Sequence, residues 1–406
     1  MKVEICRLSA GEILRAMEES MNFLHVSDLH IGKKLCGKSI MDDQRHILAE
    51  ILEMAAAPGI DALLVAGDLY DKSQPSGEAV ELTGSFLTRL AKLGKPCFIV
   101  SGNHDSPEQV AYCESILSGA SIFVSPAFSA APARHVLRDE FGEVHLYLLP
   151  FVRPMQVRRA FPERAAEIRS YADAVRVAVE EMHVDPTARN VLVAHQFVLG
   201  TSAPELTDSE ERMVGGVDAV PAEVFDSFDY VALGHLHAPQ RVRGERVRYA
   251  GSPLKYSLSE EKQRKAALRV RLGAKGEDGA ALEVEKLPYH PLRDVRSIRG
   301  TLAELTADAG VCMDYVFVTL TDELPPLDPV GSLLMSYPNL VQRRMENSRT
   351  GGKVSAPLER VEERNPLEHF VHFFEVQNNG QLPNAAQMKL LREIIEEAEV
   401  RRNASN

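Results

Sequence analysis

Five short apolar runs in this chain each lead into residues that can bind a metal ion, and this recurrence restricts the fold more than any other feature. Runs 23–27, 62–66, 97–100, 191–194 and 229–233 lead into Asp28-Leu-His30, Gly67-Asp68-Leu-Tyr-Asp71, Gly102-Asn103-His104-Asp105, His195 and Gly234-His235-Leu-His237. Runs of this length and composition fit short β-strands. Further strand candidates lie at 144–149 and 247–250, and a helix-period segment (Ile47, Leu48, Ile51, Leu52, Ala55) stops at Pro58-Gly59. Strands alternating with helices imply an α/β architecture. In such sheets the carboxyl ends of the strands face one crevice, so five ligand-bearing ends can meet without long loops.

Singly, each motif has a plainer explanation. A lone His after a strand is most often a hydrogen-bonded structural residue, Gly-Asp is a common turn, and Asn-His-Asp can cap a helix. Together, Asp28, His30, Asp68, Asn103, His195, His235 and His237 all follow strands in one chain, and chance does not account for that. Imidazole and carboxylate ligands suit borderline or hard divalent ions such as Mn, Fe and Zn. A carboxylate at Asp68 can bridge two ions, which two-metal sites hold about 3.5–4 Å apart. Asn103 can ligate through its amide oxygen without adding negative charge where a phosphate must approach. Gly67, Gly102 and Gly234 are expected to let the backbone turn tightly beside the ions.

The rest of the chain sets outer limits. Its 406 residues suffice for one large catalytic domain and one or two smaller modules. No run approaches the roughly 20 apolar residues of a membrane span, and the first twenty residues lack a secretory core, so a cytoplasmic location is expected. Cys6, Cys36, Cys97, Cys113 and Cys312 are scattered, odd in number and never C-x-x-C, which argues against a disulfide framework or a cysteine zinc site. The net charge of −12 runs against phosphate binding by Lys and Arg, although divalent ions would reverse the sign locally. Basic residues gather at Arg153, Arg158 and Arg159, at Arg241, Arg243, Arg246 and Arg248, and at Arg343, Arg344, Arg349 and Lys353. Taken alone, each group reads best as solvated loop charge.

The expected organisation is an N-terminal extension at 1–20, either a helix at 10–19 or, the favoured reading, a start codon placed too early, then a catalytic domain at 21–291 and a small α+β module at 292–345. The catalytic domain ends in a hairpin, Ala267–Leu272 with Leu282–Leu287, and the α+β module holds a helix at 302–309 and strands at 315–320 and 339–343. A polar linker at 346–357 and C-terminal helices at 358–406, with aromatic residues at Phe370, Phe373 and Phe374, complete the chain. His25, His46, His145 and His183 read as structural, and Ser252 and Lys255 belong to a loop that either lines the site or is a plain turn at Gly251-Ser-Pro253.

D-x-H, G-D-x-x-D, G-N-H-D, a separate His and G-H-x-H together resemble the pattern of the calcineurin-like metallophosphoesterases. Within that superfamily the chain is similar to the SbcD-type nuclease subunits of bacterial SbcCD exonucleases. The stretches that carry this are Leu24-His-Val-Ser-Asp-Leu-His30, Val65-Ala-Gly-Asp-Leu-Tyr-Asp71, Ser101-Gly-Asn-His-Asp-Ser106, Tyr230-Val-Ala-Leu-Gly-His-Leu-His237 and Arg248-Tyr-Ala-Gly-Ser-Pro253. The resemblance covers about 21–290 well and the remainder more loosely. Asp71 stands where archaeal and eukaryotic relatives carry a second His, which matches the bacterial branch.

The resemblance implies an α/β fold, a β-sandwich flanked by helices, with a small α+β capping domain and a C-terminal helical tail. It implies two divalent ions, Mn first, with Fe, Zn or Mg as alternatives. One ion would be held by Asp28, His30, Asp68 and His237, the other by Asp68, Asn103, His195 and His235. His104 would be catalytic, stabilising the transition state and protonating the leaving 3′ oxygen. Asp71 and Asp105 would lie behind the ligands, Asp105 either orienting His104 or capping the next helix. The implied substrate is DNA, cut as a double-strand exonuclease and a single-strand or hairpin endonuclease in repair and recombination. The implied partners are an SMC-type ATPase (SbcC), docked on the C-terminal helices, and a second copy of the chain, met through about 76–92 and 106–118. Two other readings stand beside this one: a calcineurin-like phosphatase or cyclic-nucleotide phosphodiesterase, and a non-catalytic scaffold of the ATPase complex.

Overall fold

Short runs of buried, β-branched and aromatic residues form the strands of two six-stranded sheets in a computed structural model. It describes residues 20–348, apart from 113, 126, 131–132, 211–217, 278 and 308–309, and residues 366–394, apart from 379 and 393. The extension expected at 1–20, most of the linker at 346–357 and parts of the tail fall outside the described residues. In chain order the strands of the two sheets are β1 (Met21–Val26), β2 (Ala62–Ala66), β3 (Cys97–Val100), β4 (Ile122–Val124), β5 (Ala133–Asp139) and β6 (Gly142–Leu149). They continue with β7 (Arg189–His195), β8 (Tyr230–Gly234), β9 (Gln240–Arg243), β10 (Val247–Tyr249), β11 (Ala266–Gly276) and β12 (Gly279–Pro288).

The first sheet has the order β12-β11-β1-β2-β3-β4 and the second β9-β10-β8-β7-β6-β5. Strands β1 to β4 run parallel to one another, as do β6, β7, β8 and β10. Antiparallel pairing is confined to the margins: β11 on β1 and β12 in the first sheet, β5 on β6 and β9 on β10 in the second. The five site-bearing strands are therefore parallel neighbours within their sheets, three in one and two in the other. Their carboxyl ends lie level: Val26 pairs with Val65, Ala66 with Val100, and Gly234 with His195.

Alternate residues of both sheets meet in one core, with Phe23, Leu64, Phe98 and Leu268 from the first against Leu146, Val191, Tyr230 and Ala232 from the second. Helices cover the outer faces. Helix α1 (Met41–Ala56) turns Ile47, Leu48, Ile51, Leu52 and Ala55 inward. Helix α2 (Gly77–Leu93) is capped by the Ser76 hydroxyl, which accepts from the Ala79 N–H, and ends at Gly94 in the left-handed region. Both contribute to an apolar crevice with Ala62, Leu63 and Cys97 of the first sheet. On the second sheet, α3 (Pro154–Ala160) and α4 (Tyr171–Glu180) pack Val157, Val175 and Ala178 against Leu192, Leu233 and Tyr249. The result is the helix-flanked β-sandwich that the resemblance implies. Strands β4, β5 and β9 lie at or next to sheet margins and were not foreseen.

Residues from Val295 onward form a second unit, the division falling between Asp294 and Val295. Strands β13 (Val295–Gly300), β14 (Tyr315–Leu320) and β15 (Leu340–Met345) make a parallel sheet, linked by α5 (Leu302–Thr306) and α6 (Pro329–Ser336). Val316, Val318, Leu320 and Leu333 form its core. In α7 (Pro366–Gln377), the rings of Phe370 and Phe374 meet one turn apart, tilted by 37° with centroids 6.0 Å apart. Among the described residues no helix is long and apolar enough to cross a membrane.

Candidate metal centre

All seven residues predicted as ligands come together where β1, β2, β3, β7 and β8 end. Oδ2 of Asp68 lies 3.5 Å from Nε2 of His30 and 3.4 Å from Nε2 of His195. Nε2 of His30 is 3.0 Å from Nε2 of His237. On the other side, Oδ1 of Asn103 is 3.0 Å from Nε2 of His195 and 3.0 Å from Nδ1 of His235. Donor atoms of Asp28, His30 and His237, and of Asp28, Asp68 and His195, lie within 4.8 Å of one another. Asp68 thus stands between two groups of donors, where a bridging carboxylate belongs.

The backbone is forced into place here. Asp28 (φ 54°), His30 (φ 43°), Asp68 (φ 49°) and His235 (φ 111°) all occupy the left-handed region, which costs an L-residue about 1–3 kcal/mol and persists only where the surroundings fix it. Such strain gathers at functional sites. Of the three expected turn glycines, only Gly67 has a positive φ, 85°. Gly102 and Gly234 are glycines for another reason, the close approach of neighbours. A Cβ on Gly102 would stand 2.0 Å from Oδ1 of Asp68, and one on Gly234 1.8 Å from the Ala66 carbonyl oxygen.

The donor set fits divalent cations. Oδ2 of Asp28 is buried without a hydrogen-bond partner among the described residues, an acceptor that a cation would satisfy. Burial holds His30 and His237 well below the usual imidazole value, so their rings stay neutral and keep a lone pair for a ligand bond. Burial also pushes the Asp28 carboxyl up, to about 7, with the Asp68 charge adding to the shift. A divalent ion among these groups inverts that balance and favours the carboxylate.

His104 stands at the edge of the cluster. Its Nδ1 donates to the Asp71 carbonyl (2.9 Å), its backbone N–H donates to Oδ1 of Asp68 (3.0 Å), and its Nε2 faces Oδ2 of Asp68 at 4.0 Å. Asp105 does neither of the two things expected of it. Its carboxylate accepts the backbone N–H groups of Leu69, Tyr70 and Gly102 at 3.0, 2.9 and 2.9 Å, which ties together the two loops that carry Asp68 and Asn103. Ser106 caps the following helix instead. The Asp71 carboxylate pairs with Lys33 Nζ at 2.9 Å.

Lys33 was not foreseen, and neither were Ser209, Glu210, Glu260 and Lys265, which surround His237. The Glu210 carboxylate accepts the His237 N–H at 2.7 Å. No motif marks these residues; they reach the site from separate loops. Ser252 lies in that network and accepts from Lys265 Nζ, whereas Lys255 faces away to Asp294. His25 is structural, as expected: its ring spans the two sheets, Nε2 donating to the Leu233 carbonyl (3.2 Å) and Nδ1 accepting from the Tyr230 hydroxyl (2.9 Å). The basic group at 241–248 is occupied. Arg241 and Arg248 pair with Glu245, Arg243 pairs with Asp226, and Arg246 donates to the Asp226 and Phe228 carbonyls.

The sequence profile of the calcineurin-like phosphoesterases matches residues 21–239, more than half of the 406 residues and all seven predicted ligands. The chain belongs to the calcineurin-like phosphoesterase family. A second profile, SbcD_C (type 5 capsule protein repressor C-terminal domain), matches residues 291–378, and the two together make this phosphoesterase SbcD-like. Among solved structures it is similar to the calcineurin-like phosphoesterase YfkN from Bacillus subtilis, with 13% identity and a TM-score of 0.35 over 66% of this chain and 91% of that one. A dimetal phosphatase from Danio rerio is matched at 11% identity and a TM-score of 0.37, over 67% of this chain and 100% of that one.

Proposed function

We propose that this phosphoesterase is a metal-dependent DNA nuclease of the SbcD type, a double-strand exonuclease and single-strand or hairpin endonuclease acting in DNA repair. The observation that carries the reading is the position of Asp68, whose Oδ2 sits between His30 and His195 while His104 waits 4.0 Å away. Asp28, His30, Asp68 and His237 would hold one divalent ion, and Asp68, Asn103, His195 and His235 the other, with Mn the first candidate. Such a pair supplies an acidified water and neutralises the charge of the phosphate. The protein's own part falls to His104. With Nδ1–H fixed on the Asp71 carbonyl, its Nε2 is the ring nitrogen that would carry the proton given to the leaving 3′ oxygen.

The second unit is assigned the capping role, guiding DNA to the site, and the C-terminal helices the docking of an SbcC-like SMC-type ATPase. The SbcD_C match over 291–378 supports that partner. A homodimer in the cytoplasm completes the reading. One observation favours a smaller substrate: the arginines at 241–248 are already paired with Glu245 and Asp226 or bound to backbone carbonyls. A calcineurin-like phosphatase or cyclic-nucleotide phosphodiesterase is therefore the second reading.

The test is Mn-dependent cleavage of linear and hairpin duplex DNA, with and without the ATPase, by the wild type and its His104→Ala variant. Loss of rate by about 10²–10⁴-fold in the variant, with metal content unchanged, is expected. Hydrolysis of bis-p-nitrophenyl phosphate with no cleavage of any DNA would replace the nuclease by the second reading.

A further inference from the structure

His237 is held by a chain of groups that reaches a buried ion pair. Its Nδ1 lies 2.6 Å from Ser209 Oγ, and Ser209 Oγ donates to Oε1 of Glu260 at 2.6 Å. Glu260 is fully buried. Its carboxylate also takes the Tyr256 N–H (3.1 Å), the hydroxyls of Ser257 (3.0 Å) and Ser252 (3.3 Å), and Nζ of Lys265 at 2.6 Å. Lys265 donates further to the His237 carbonyl at 2.7 Å, so the pair grips His237 at both its ring and its backbone.

The proton positions follow from what each group can do. A carboxylate paired with Lys265 only accepts, so the Ser209 hydroxyl hydrogen points to Glu260. The Ser209 oxygen then accepts, and His237 Nδ1 must carry the hydrogen. Nε2 is left with its lone pair, and that is the nitrogen 3.0 Å from Nε2 of His30 in the cluster. Lys265 balances the charge of Glu260, so the chain of groups carries no net charge. A buried ion pair is a poor way to stabilise a fold, since an apolar pair of similar volume does as well or better. Its placement beside a ligand points to a different task.

We infer that Ser209 and Glu260 are positioning residues that fix the tautomer and ring orientation of His237, and so set the affinity of one ion of the pair. This rests on the reading of His237 as a metal ligand. Groups of this kind behind a ligating histidine typically contribute about 10–100-fold in metal affinity. The experiment is calorimetric titration of the full chain with Mn²⁺ for the wild type, Ser209→Ala and Ser209→Thr, with Glu260→Gln as a second break in the same chain of groups. Ser209→Ala keeps the Glu260–Lys265 pair and so preserves the fold.

The expected result is a 10–100-fold weaker binding of one ion in Ser209→Ala, the other ion unaffected and the hydroxyl of Ser209→Thr restoring the loss. Equal weakening of both ions would mean general loosening and would overturn the inference, as would wild-type affinities in both Ser209→Ala and Glu260→Gln. A wild type that binds no divalent ion would overturn the metal-centre reading beneath it.

Discussion

His195 and His237 both turn Nε2 toward the cluster, yet little about their surroundings is shared. His195 donates from Nδ1 to the backbone carbonyl of Ala66 at 2.9 Å and packs edge-on against Phe151 and His235. That carbonyl belongs to β2, a central strand, so the brace is part of the sheet itself. His237 leans instead on side chains, Ser209, Glu260 and Lys265, from loops distant in sequence. A backbone brace needs no particular side chain, only glycines that leave room. A side-chain brace can be altered one member at a time, and its members must match one another.

The contrast can be broken from either side. The largest stability effect is expected from Lys265→Met, which leaves the Glu260 charge buried without its partner and costs about 3–5 kcal/mol. Adding Glu260→Gln should recover most of that loss, because the charge is gone. Denaturant unfolding of the two single variants and the double variant reads the coupling, and a Lys265→Met protein within 1 kcal/mol (about a fivefold change in equilibrium) would sink the matched-pair account. On the backbone-braced side the sensitive position is Gly67, where a Cβ would stand 2.2 Å from Nδ1 of His195. Gly67→Ala should cost about 1–3 kcal/mol in overpacking and weaken metal binding. Gly37, at φ 87° with nothing within 4 Å, is the control. Gly37→Ala should show only the strain of the left-handed region, about 1–2 kcal/mol, with metal binding intact. Equal metal binding in the two variants would contradict the close-approach argument.

His25 sharpens the comparison as a buried histidine outside the cluster. Burial lowers it from 6.5 to about 3. The unfolded chain takes up a proton below 6.5 and the folded chain does not until near 3, so stability is complete above pH 6.5 and falls as the pH drops through that window. By pH 5.5 the loss is about 1 kcal/mol. His25→Gln should flatten this part of the unfolding profile between pH 7 and 5 (roughly two units of the window), and an unchanged slope would assign the acid sensitivity elsewhere.

The same contrast explains what the sequence revealed. β2 and β3 are continuous apolar runs and β1, β7 and β8 are largely so, and a candidate ligand stands at or just after the end of each, so strand and candidate site were legible together. β5 (Ala133–Asp139) and β9 (Gln240–Arg243) stand at sheet margins with charged residues on them, and nothing in their pattern separates them from loops. Of the elements after Val295, β14 and β15 were foreseen, whereas β13 and α6 were not. The brace of His195 left a trace, Gly67 and Gly234, though Gly234 serves close approach and not a turn. The brace of His237 left none: Ser209, Glu260 and Lys265 are ordinary surface residue types until the fold buries the last two and half-buries Ser209. Asp105 was visible as a polar residue beside a candidate ligand, but its three backbone donors come from loops that only the folded sheet brings together.

The most direct test of a single two-ion centre is the Mn²⁺ stoichiometry, by equilibrium dialysis, of the wild type and Asp68→Ala. Because Asp68 stands between both donor groups, the account predicts roughly two ions per wild-type chain and next to none in the variant. Two ions retained without Asp68, or fewer than two in the wild type, would contradict it.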